Sequence, residues 1–122
     1  MEFLRKIDFA SMAATNDRVI QSLLGRDSGA TSCSVDCVKT PPGTGSAAGL
    51  HTHVVDQLFY IISGKMSLEI AGTEYEAHPG TVVVFPAGVP HRNWNGGLED
   101  TVHLAVNSPL PEPDIPFARQ VS

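Results

Sequence analysis

Residues 45–95 carry the most informative patterns of the chain, and they read GSAAGLHTHVVDQLFYIISGKMSLEIAGTEYEAHPGTVVVFPAGVPHRNWN. In an extended strand, residues i and i+2 point to the same face and lie about 6–7 Å apart. His51 and His53 therefore share one face, where two imidazole nitrogens can reach one metal ion at about 2.0–2.1 Å each. The pattern predicts two metal ligands on one strand, with Thr52 facing the other way.

Gln57 follows His53 by four residues, which is about 13 Å along a straight strand. The chain must turn at residues 54–56 if Gln57 is to join the histidine pair. Gln57 then opens the next antiparallel strand, beside the histidines, and residues 58–62 (LFYII) form the apolar run expected there. Alternatively, the Gln57 amide hydrogen-bonds to a ligand or to water. Alternation turns the neighbouring Asp56 away from the pocket.

His91 belongs to a separate element. Residues 81–85 (TVVVF) predict a buried strand that ends at the rigid bend formed by residues 86–90 (PAGVP). This bend places His91 at the start of another strand, residues 91–95. Together the segments predict a site of three imidazoles, from His51, His53 and His91, and one amide oxygen, from Gln57.

These residues resemble the two sequence motifs of the cupin superfamily. The first motif has Gly, His-X-His, Glu and Gly at fixed spacing, and its positions fall on Gly45, His51, His53, Gln57 and Gly64. The second motif falls on Gly80, Pro86, Gly88, His91 and Asn95. The resemblance implies an all-β fold, the double-stranded β-helix (jelly roll, or cupin barrel). Many short runs of alternating residues with no convincing long helix agree with that fold class.

Gln57 departs from the family pattern, because cupins usually carry Glu at this position. A neutral amide leaves the charge of a divalent ion uncompensated by its ligands. We therefore expect weaker metal binding and a more electrophilic ion. The resemblance implies Zn, Fe, Mn, Ni or Cu as the cofactor, without choosing among these metals.

The resemblance also implies a range of reactions on a small organic substrate. Similar cupins cleave C–C bonds with dioxygen when they hold Fe, Mn, Ni or Cu, and with Zn they run lyase, isomerase or polyketide-cyclase chemistry. The alternative is a binding or sensor protein without turnover. A sugar-nucleotide epimerase or isomerase of this fold needs further acidic and basic pocket groups, whereas Lys65 and Glu69 are predicted to lie outward or at a turn.

The pocket lining follows from alternation. Phe59 and Ile61 share the face of Gln57 and, with Met66, are predicted to line the substrate pocket. Asn93 shares the face of His91 and is a candidate polar pocket or catalytic group. His103, in the last strand, is a candidate proton shuttle if it faces inward; a satisfied or exposed strand histidine is the alternative. An apolar pocket with few polar groups suits a small, partly hydrophobic molecule.

We expect one domain, residues 1–122, with an N-terminal arm (1–17), the core metal-site motifs (45–95) and a Pro-rich tail (108–122). The tail has four prolines, at positions 109, 111, 113 and 116. It therefore cannot be a central strand and is predicted to lie on a surface. The resemblance implies a homodimer, since cupins of this size often pack or exchange N-terminal strands.

Composition argues against two classes of partner. The net charge is −5, from 13 acidic and 8 basic residues without a Lys/Arg cluster, so we expect no nucleic-acid partner. No apolar run reaches membrane-spanning length, and the first residues lack an apolar export segment, so a cytoplasmic location is expected. Cys33 and Cys37 lie four residues apart, too far along a strand for a disulfide, and are predicted to be small buried apolar groups.

Overall fold

A computed structural model describes residues 1–46 and 49–121; Ala47, Ala48 and Ser122 lie outside the described residues. Within the described residues there are two short helical segments, α1 (Phe9–Ala13) and a 3-10 turn (Arg26–Ser28). The strands are β1 (Val19–Leu24), β2 (Ser34–Thr40), β3 (His51–His53), β4 (Asp56–Ser63), β5 (Met66–Ile70), β6 (Thr73–Ala77), β7 (Val82–Phe85), β8 (His91–Trp94), β9 (Thr101–Ser108) and β10 (Ala118–Gln120).

The strands form two antiparallel sheets of five strands each. Sheet A has the order β1-β2-β9-β4-β7, and sheet B has the order β10-β3-β8-β5-β6. Because the chain repeatedly crosses from one sheet to the other, neighbours within a sheet are mostly distant in sequence, as in a jelly roll. The predicted all-β, double-stranded β-helix fold is confirmed.

The inward side chains of both sheets pack into one apolar core. On β4, buried and exposed residues alternate strictly from Asp56 to Ile61, which is the pattern of a strand with one face toward the core. The rings of Phe59 and Phe85 meet edge to face across neighbouring strands, with centroids 4.8 Å apart. The cluster contains Phe59, Ile61, Met66, Leu68, Ala77, Val83, Phe85 and Ala105.

The turn predicted at residues 54–56 exists, but the predicted position of the strand that follows it was wrong. β3 pairs with β8 and β10, whereas β4 pairs with β7 and β9. The turn therefore carries the chain from sheet B to sheet A instead of folding it into a hairpin. Gln57 does not open a strand beside the histidine pair; it faces that pair from the opposite sheet. Asp56 is exposed, as predicted, and its carboxylate accepts the amide hydrogen of Ala87 at 2.8 Å.

The N-terminal arm covers the outer face of β2. Met12 of α1 is buried, and its sulfur lies 4.0 Å from the Cys37 thiol. Lys39, two residues further along β2, is also buried, and its ammonium donates to backbone carbonyls of the arm. Cys37 and Lys39, on the outward face of this strand, are therefore as well shielded from water as core residues. Both cysteines are free thiols, Cys37 buried and Cys33 only half-buried.

The Pro-rich tail ends in a strand that the sequence did not predict. β10 pairs with β3 at the edge of sheet B, with Ala118 opposite His53 and Gln120 opposite His51. An edge position is compatible with the preceding prolines, because the free side of an edge strand needs no ladder hydrogen bonds. The tail therefore completes the sheet that carries the histidine pair.

Two glycines of the motifs allow close approach of backbone segments. A Cβ atom on Gly45 would lie 2.4 Å from the carbonyl oxygen of Asn93, where the two segments form a β-bridge. Gly64 has φ of +73°, and a Cβ there would lie 2.4 Å from the carbonyl oxygen of Asp100. Side chains at either position would push apart segments that hold the sheets together.

The described residues contain no helix that is long and apolar enough to cross a membrane.

Candidate metal centre

Three imidazoles converge at the inner face of sheet B. β3 carries His51 and His53 on its inward face, and His91 opens β8 as the register partner of His51. All three rings are buried, and their centroids lie 4.5 to 4.9 Å apart. Each ring offers one nitrogen, and these nitrogens all lie within 4.8 Å of one another. The structure thus brings together the three histidines that the sequence singled out.

Backbone carbonyls fix the tautomer of each ring. The Nδ1 atom of His51 lies 2.5 Å from the Gly49 carbonyl oxygen, and that of His91 lies 3.0 Å from the Val89 oxygen. The Nδ1 atom of His53 lies 2.9 Å from the oxygen of Phe117 in the tail. A carbonyl only accepts, so each Nδ1 carries the hydrogen and each Nε2 is left with a free lone pair. This is the usual arrangement around metal-binding histidines.

The Nε2 atoms of His51 and His53 have the spacing of two ligands to a common ion. Those of His51 and His53 are 3.2 Å apart, and two lone pairs at that distance repel each other unless a cation lies between them. Nitrogens bound to one ion at tetrahedral or octahedral angles lie about 2.9–3.4 Å apart. The Nε2 of His91 is buried without a hydrogen-bond partner among the described residues. These donors therefore fit a divalent cation.

Burial keeps His53 and His91 in the form that binds metals. Desolvation lowers the pKa of His91 to about 4, opposed by its hydrogen bond to Val89 and reinforced by the nearby His51 and His53 rings. Desolvation likewise lowers the pKa of His53, against its hydrogen bond to the Phe117 carbonyl and reinforced by the nearby His51 ring. Both rings are thus neutral near pH 7, and neutral imidazole is the ligand form.

Gln57 reaches the imidazoles from sheet A. Its side chain is buried, and its amide nitrogen donates to the side-chain oxygen of Asn107 on β9 at 3.0 Å. With the nitrogen so engaged, the carbonyl oxygen is the side-chain atom left to face His53, the imidazole whose pKa Gln57 influences. An amide oxygen has lone pairs to offer a cation, whereas an amide nitrogen does not. The part of Gln57 as a fourth ligand, through oxygen beside three imidazole nitrogens, stays a prediction.

Aromatic rings enclose the imidazoles. The Phe85 ring lies 4.3 Å from that of His91, and the Phe117 ring lies 4.1 Å from that of His53. Phe117 thus contributes both a carbonyl and an aromatic wall, and the sequence reasoning missed it. Its only signal was an aromatic residue within a Pro-rich tail, which does not reveal where the tail docks.

His103 lies on β9 in sheet A, four residues before Asn107. Its buried ring packs 4.2 Å from Phe59, and Nδ1 has no hydrogen-bond partner among the described residues. Desolvation lowers the pKa of His103 to about 4, and the charge of Arg18 lowers it further. His103 therefore faces inward, is buried, and does not have all its ring nitrogens hydrogen-bonded. Its role as a proton shuttle stays a prediction.

The predicted pocket residues occupy different environments. Phe59, Ile61 and Met66 all lie within the packed core. Asn93 is half-buried, and its side-chain oxygen accepts a hydrogen bond from the Ser46 hydroxyl at 2.6 Å. Their assignment to a substrate pocket stays a prediction. His78, in contrast, is a surface residue beside Glu76.

An inward-facing carboxylate escaped the sequence reasoning. Asp36 on β2 is the register partner of the core residue Ala105, and Ser34 is the partner of Asn107. Register partners project from the same face of a sheet, so Asp36 points inward. Burial raises its pKa. The alternation of β2 was visible, but only the arm over its outer face shows which set of residues faces in.

A surface cleft of about 440 Å³ borders the cluster, because His53 and Phe117 form part of its lining. The lining also includes Thr52 and Arg119, which are register partners on β3 and β10. Because these two residues alternate with the inward histidines, they face the outer side of sheet B. The cleft therefore lies at the edge of the histidine strand, beside the tail.

The fold and the cluster together define a jelly-roll protein with a site suited to a divalent metal. The Cupin_2 family model, described as a cupin domain, matches residues 37–107, which is more than half of the chain. The protein therefore belongs to the cupin family. No curated protein matches the sequence.

Solved structures agree on the fold. A protein of Acidithiobacillus ferrooxidans, described provisionally as a sugar phosphate isomerase, is 30% identical with a TM-score of 0.67; the match covers 76% of this chain but only 60% of that protein. A Cupin 2 conserved barrel domain protein from Salinispora arenicola is 24% identical with a TM-score of 0.69, covering 88% and 89%. The polyketide cyclase RemF from Streptomyces resistomycificus is 23% identical with a TM-score of 0.73, covering 86% and 71%.

Proposed function

We propose that this cupin is a metal-dependent enzyme acting on a small organic substrate. His51, His53, His91 and Gln57 would hold the divalent ion, which is Zn, Fe, Mn, Ni or Cu. The observation that carries the proposal is the set of three buried imidazoles whose Nδ1 atoms are all tied to carbonyls and whose Nε2 atoms face one another. A purely structural role would not leave such donors without partners in a dry interior.

The donor set favours polarisation of a substrate oxygen. Three neutral imidazoles and a neutral amide leave the full charge of a divalent ion uncompensated. When bound, such an ion supplies Lewis-acid chemistry of the lyase, isomerase or cyclase kind. The fold is similar to that of a polyketide cyclase, which is compatible with this branch. Dioxygen-dependent C–C cleavage is the other branch, and a binding or sensor role without turnover is the alternative.

The chain's own residues would exclude water from the site and transfer a proton to or from the substrate. Phe85 and Phe117 wall the imidazoles on two sides, which keeps the site apolar. Asp36 is an inward-facing carboxylate whose pKa burial raises, so it can hold and release a proton nearer to neutral pH than an exposed Asp. We therefore propose Asp36, ahead of His103, as the proton-transfer group.

An activity screen tests this function. Protein loaded with Zn²⁺ or Fe²⁺ is offered diketones and catechols while oxygen uptake and product mass are measured. We expect turnover without oxygen uptake, lost on chelation and restored by the ion. In the same assay, Asp36→Asn should lower turnover about a hundredfold or more while metal content stays unchanged. Turnover that survives chelation contradicts the metal-dependent mechanism, and full turnover of Asp36→Asn removes that carboxylate from it.

We also propose that the protein is a homodimer joined through the outer face of sheet A. Leu58 and Tyr60 of β4 point outward there and are 38% and 44% exposed. Each has apolar register partners on both sides, so the apolar residues form a continuous surface without a charged side chain among them. Its members are Leu58, Tyr60, Val82, Val84, Leu104 and Val106. A flat apolar face of this kind can pair with its own copy about a two-fold axis.

Tyr60→Lys should convert the dimer to a monomer. The substitution places a charge at the centre of the face, and an unpaired buried charge costs about 3–5 kcal/mol. Light scattering at several concentrations should give twice the 13.0 kDa mass of one chain for the native protein, and one chain for the variant. Leu98→Lys, at a loop residue that is 98% exposed, is the matched control and should stay dimeric. A monomeric native protein, or two dimeric variants, would refute the assignment.

A further inference from the structure

A row of polar side chains leads from the imidazoles across the inner face of sheet A. The Gln57 amide nitrogen donates to the Asn107 side-chain oxygen at 3.0 Å, and the Asn107 amide nitrogen donates to the Ser34 hydroxyl at 3.2 Å. The three residues are register neighbours on β4, β9 and β2. Their side chains therefore project side by side from one face.

This row of polar side chains matters because an amide ligand, unlike a carboxylate, must be oriented correctly to bind a cation. A glutamate has two equivalent oxygens, so either can face a cation. The side chain of Gln57 has one oxygen and one nitrogen, and a rotation of the amide by 180° would turn two N–H hydrogens toward the three imidazoles. Such hydrogens repel a cation. The site can therefore use Gln57 only if something sets the orientation of its amide.

Asn107 is placed to set that orientation. Gln57 and Asn107 are 7% and 6% exposed, so neither amide has free access to water. The oxygen of Asn107 accepts from the Gln57 nitrogen, which commits the Gln57 oxygen to the imidazole side. The nitrogen of Asn107 is in turn engaged by Ser34. Reversing the Gln57 amide while Asn107 keeps its orientation would leave a buried carbonyl facing the Asn107 oxygen, and both groups would lack a donor.

We propose that Asn107, held by Ser34, is a positioning residue that turns the Gln57 carbonyl oxygen toward the metal ion. The inference rests on the proposed metal centre. It goes beyond that centre because neither Asn107 nor Ser34 touches the ion; both act on it through Gln57.

A double-mutant cycle on metal affinity tests the inference. The apparent dissociation constant for Zn²⁺ is measured by competition with a chromophoric chelator, for Asn107→Leu in the native background and in a Gln57→Glu background. Loss of such a supporting hydrogen bond weakens metal binding by about 10- to 100-fold, and we expect this in the native background. In the Gln57→Glu background the loss should be less than about threefold, because a carboxylate needs no orientation.

Asn107→Asp is the conservative counterpart. Its carboxylate accepts from the Gln57 nitrogen with either oxygen, so Zn²⁺ affinity should stay at or above the native value. The visible spectrum of the Co²⁺-loaded protein should be native-like for Asn107→Asp and altered for Asn107→Leu, since only the latter loses the oxygen ligand. Ser34→Ala, a milder change at a half-buried position, should weaken Zn²⁺ binding in the same direction and keeps the test available if Asn107→Leu does not fold.

Thr101→Val is the matched control, because it also removes a buried polar group from β9, the strand that carries Asn107. Thr101 is fully buried on β9 and donates to the Lys65 carbonyl at 2.8 Å, so its loss should lower stability without changing Zn²⁺ affinity. Equal losses for Asn107→Leu in both Gln57 backgrounds, or none in the native one, would overturn the inference while leaving the metal centre intact. A native protein that binds Zn²⁺ no better than His91→Ala would overturn both.

Discussion

His91→Ala is expected to abolish stoichiometric metal binding. His91 is the only one of the three imidazoles that comes from β8 and is 1% exposed. The binding free energy of about 10–16 kcal/mol found for structural zinc sites, shared among four ligands, gives a loss of about a hundredfold or more in affinity per ligand. Elemental analysis should find about one ion per native chain and well under one per variant chain.

His78→Ala provides the control, because it also removes an imidazole, but from the surface beside Glu76. Its metal content should equal that of the native protein. A second readout is thermal unfolding with added Zn²⁺: a ligand at a hundred times its dissociation constant stabilises the folded state by about 2.7 kcal/mol, and only His91→Ala should lose that shift. Equal metal contents in the two variants would show that the imidazole cluster is not a metal centre.

Lys39→Met is expected to cause the largest loss of stability. The ammonium of Lys39 donates to the backbone carbonyls of Met12, at 2.6 Å, and of Thr15, and it lies 4.0 Å from the carboxylate of Asp100. The substitution keeps the apolar stem but leaves the two carbonyls of the arm without their donor. Loss of charged hydrogen bonds of this kind costs about 2–4 kcal/mol in the free energy of unfolding, measurable by urea denaturation.

The lysine at position 65 is a matched control. Lys65 pairs with Glu76 at 3.2 Å, but both side chains are 49% exposed. Exposed ion pairs contribute about 0–1 kcal/mol, so Lys65→Met should be nearly neutral. Hydrogen exchange adds a local readout: Lys39→Met should speed exchange across α1 more than in the core strands. Equal stabilities for the two variants would mean that the arm does not depend on Lys39.

Local patterns predicted much of this molecule. The alternation of His51 and His53 and the turn after His53 could be read directly, because side-chain direction along a strand follows from backbone geometry. The bend before His91 could be read from its prolines, since their fixed backbone angles end the preceding strand. The resemblance to the cupin motifs then added the jelly roll, which the two sheets confirm.

The positions of distant residues relative to one another could not be predicted from the sequence. Alternation divides a strand into two faces, but it does not say which face is inside, and on β2 the arm makes the outer face as dry as the core. Asp36 was therefore overlooked as an inward carboxylate. For the same reason nothing in the sequence linked Phe117 to His53, or Asn107 to Gln57, fifty residues apart.

The residue types of the candidate ligands, their spacing within each motif and their location on strands could be read from the sequence, because these depend on neighbouring residues. The folded molecule adds that Gln57 faces the histidines from the other sheet, that the tail supplies a carbonyl to His53, and that Asn107 accepts from the Gln57 amide nitrogen. Strand pairing and the crossing between sheets follow from the packing of the whole core, which no local pattern encodes.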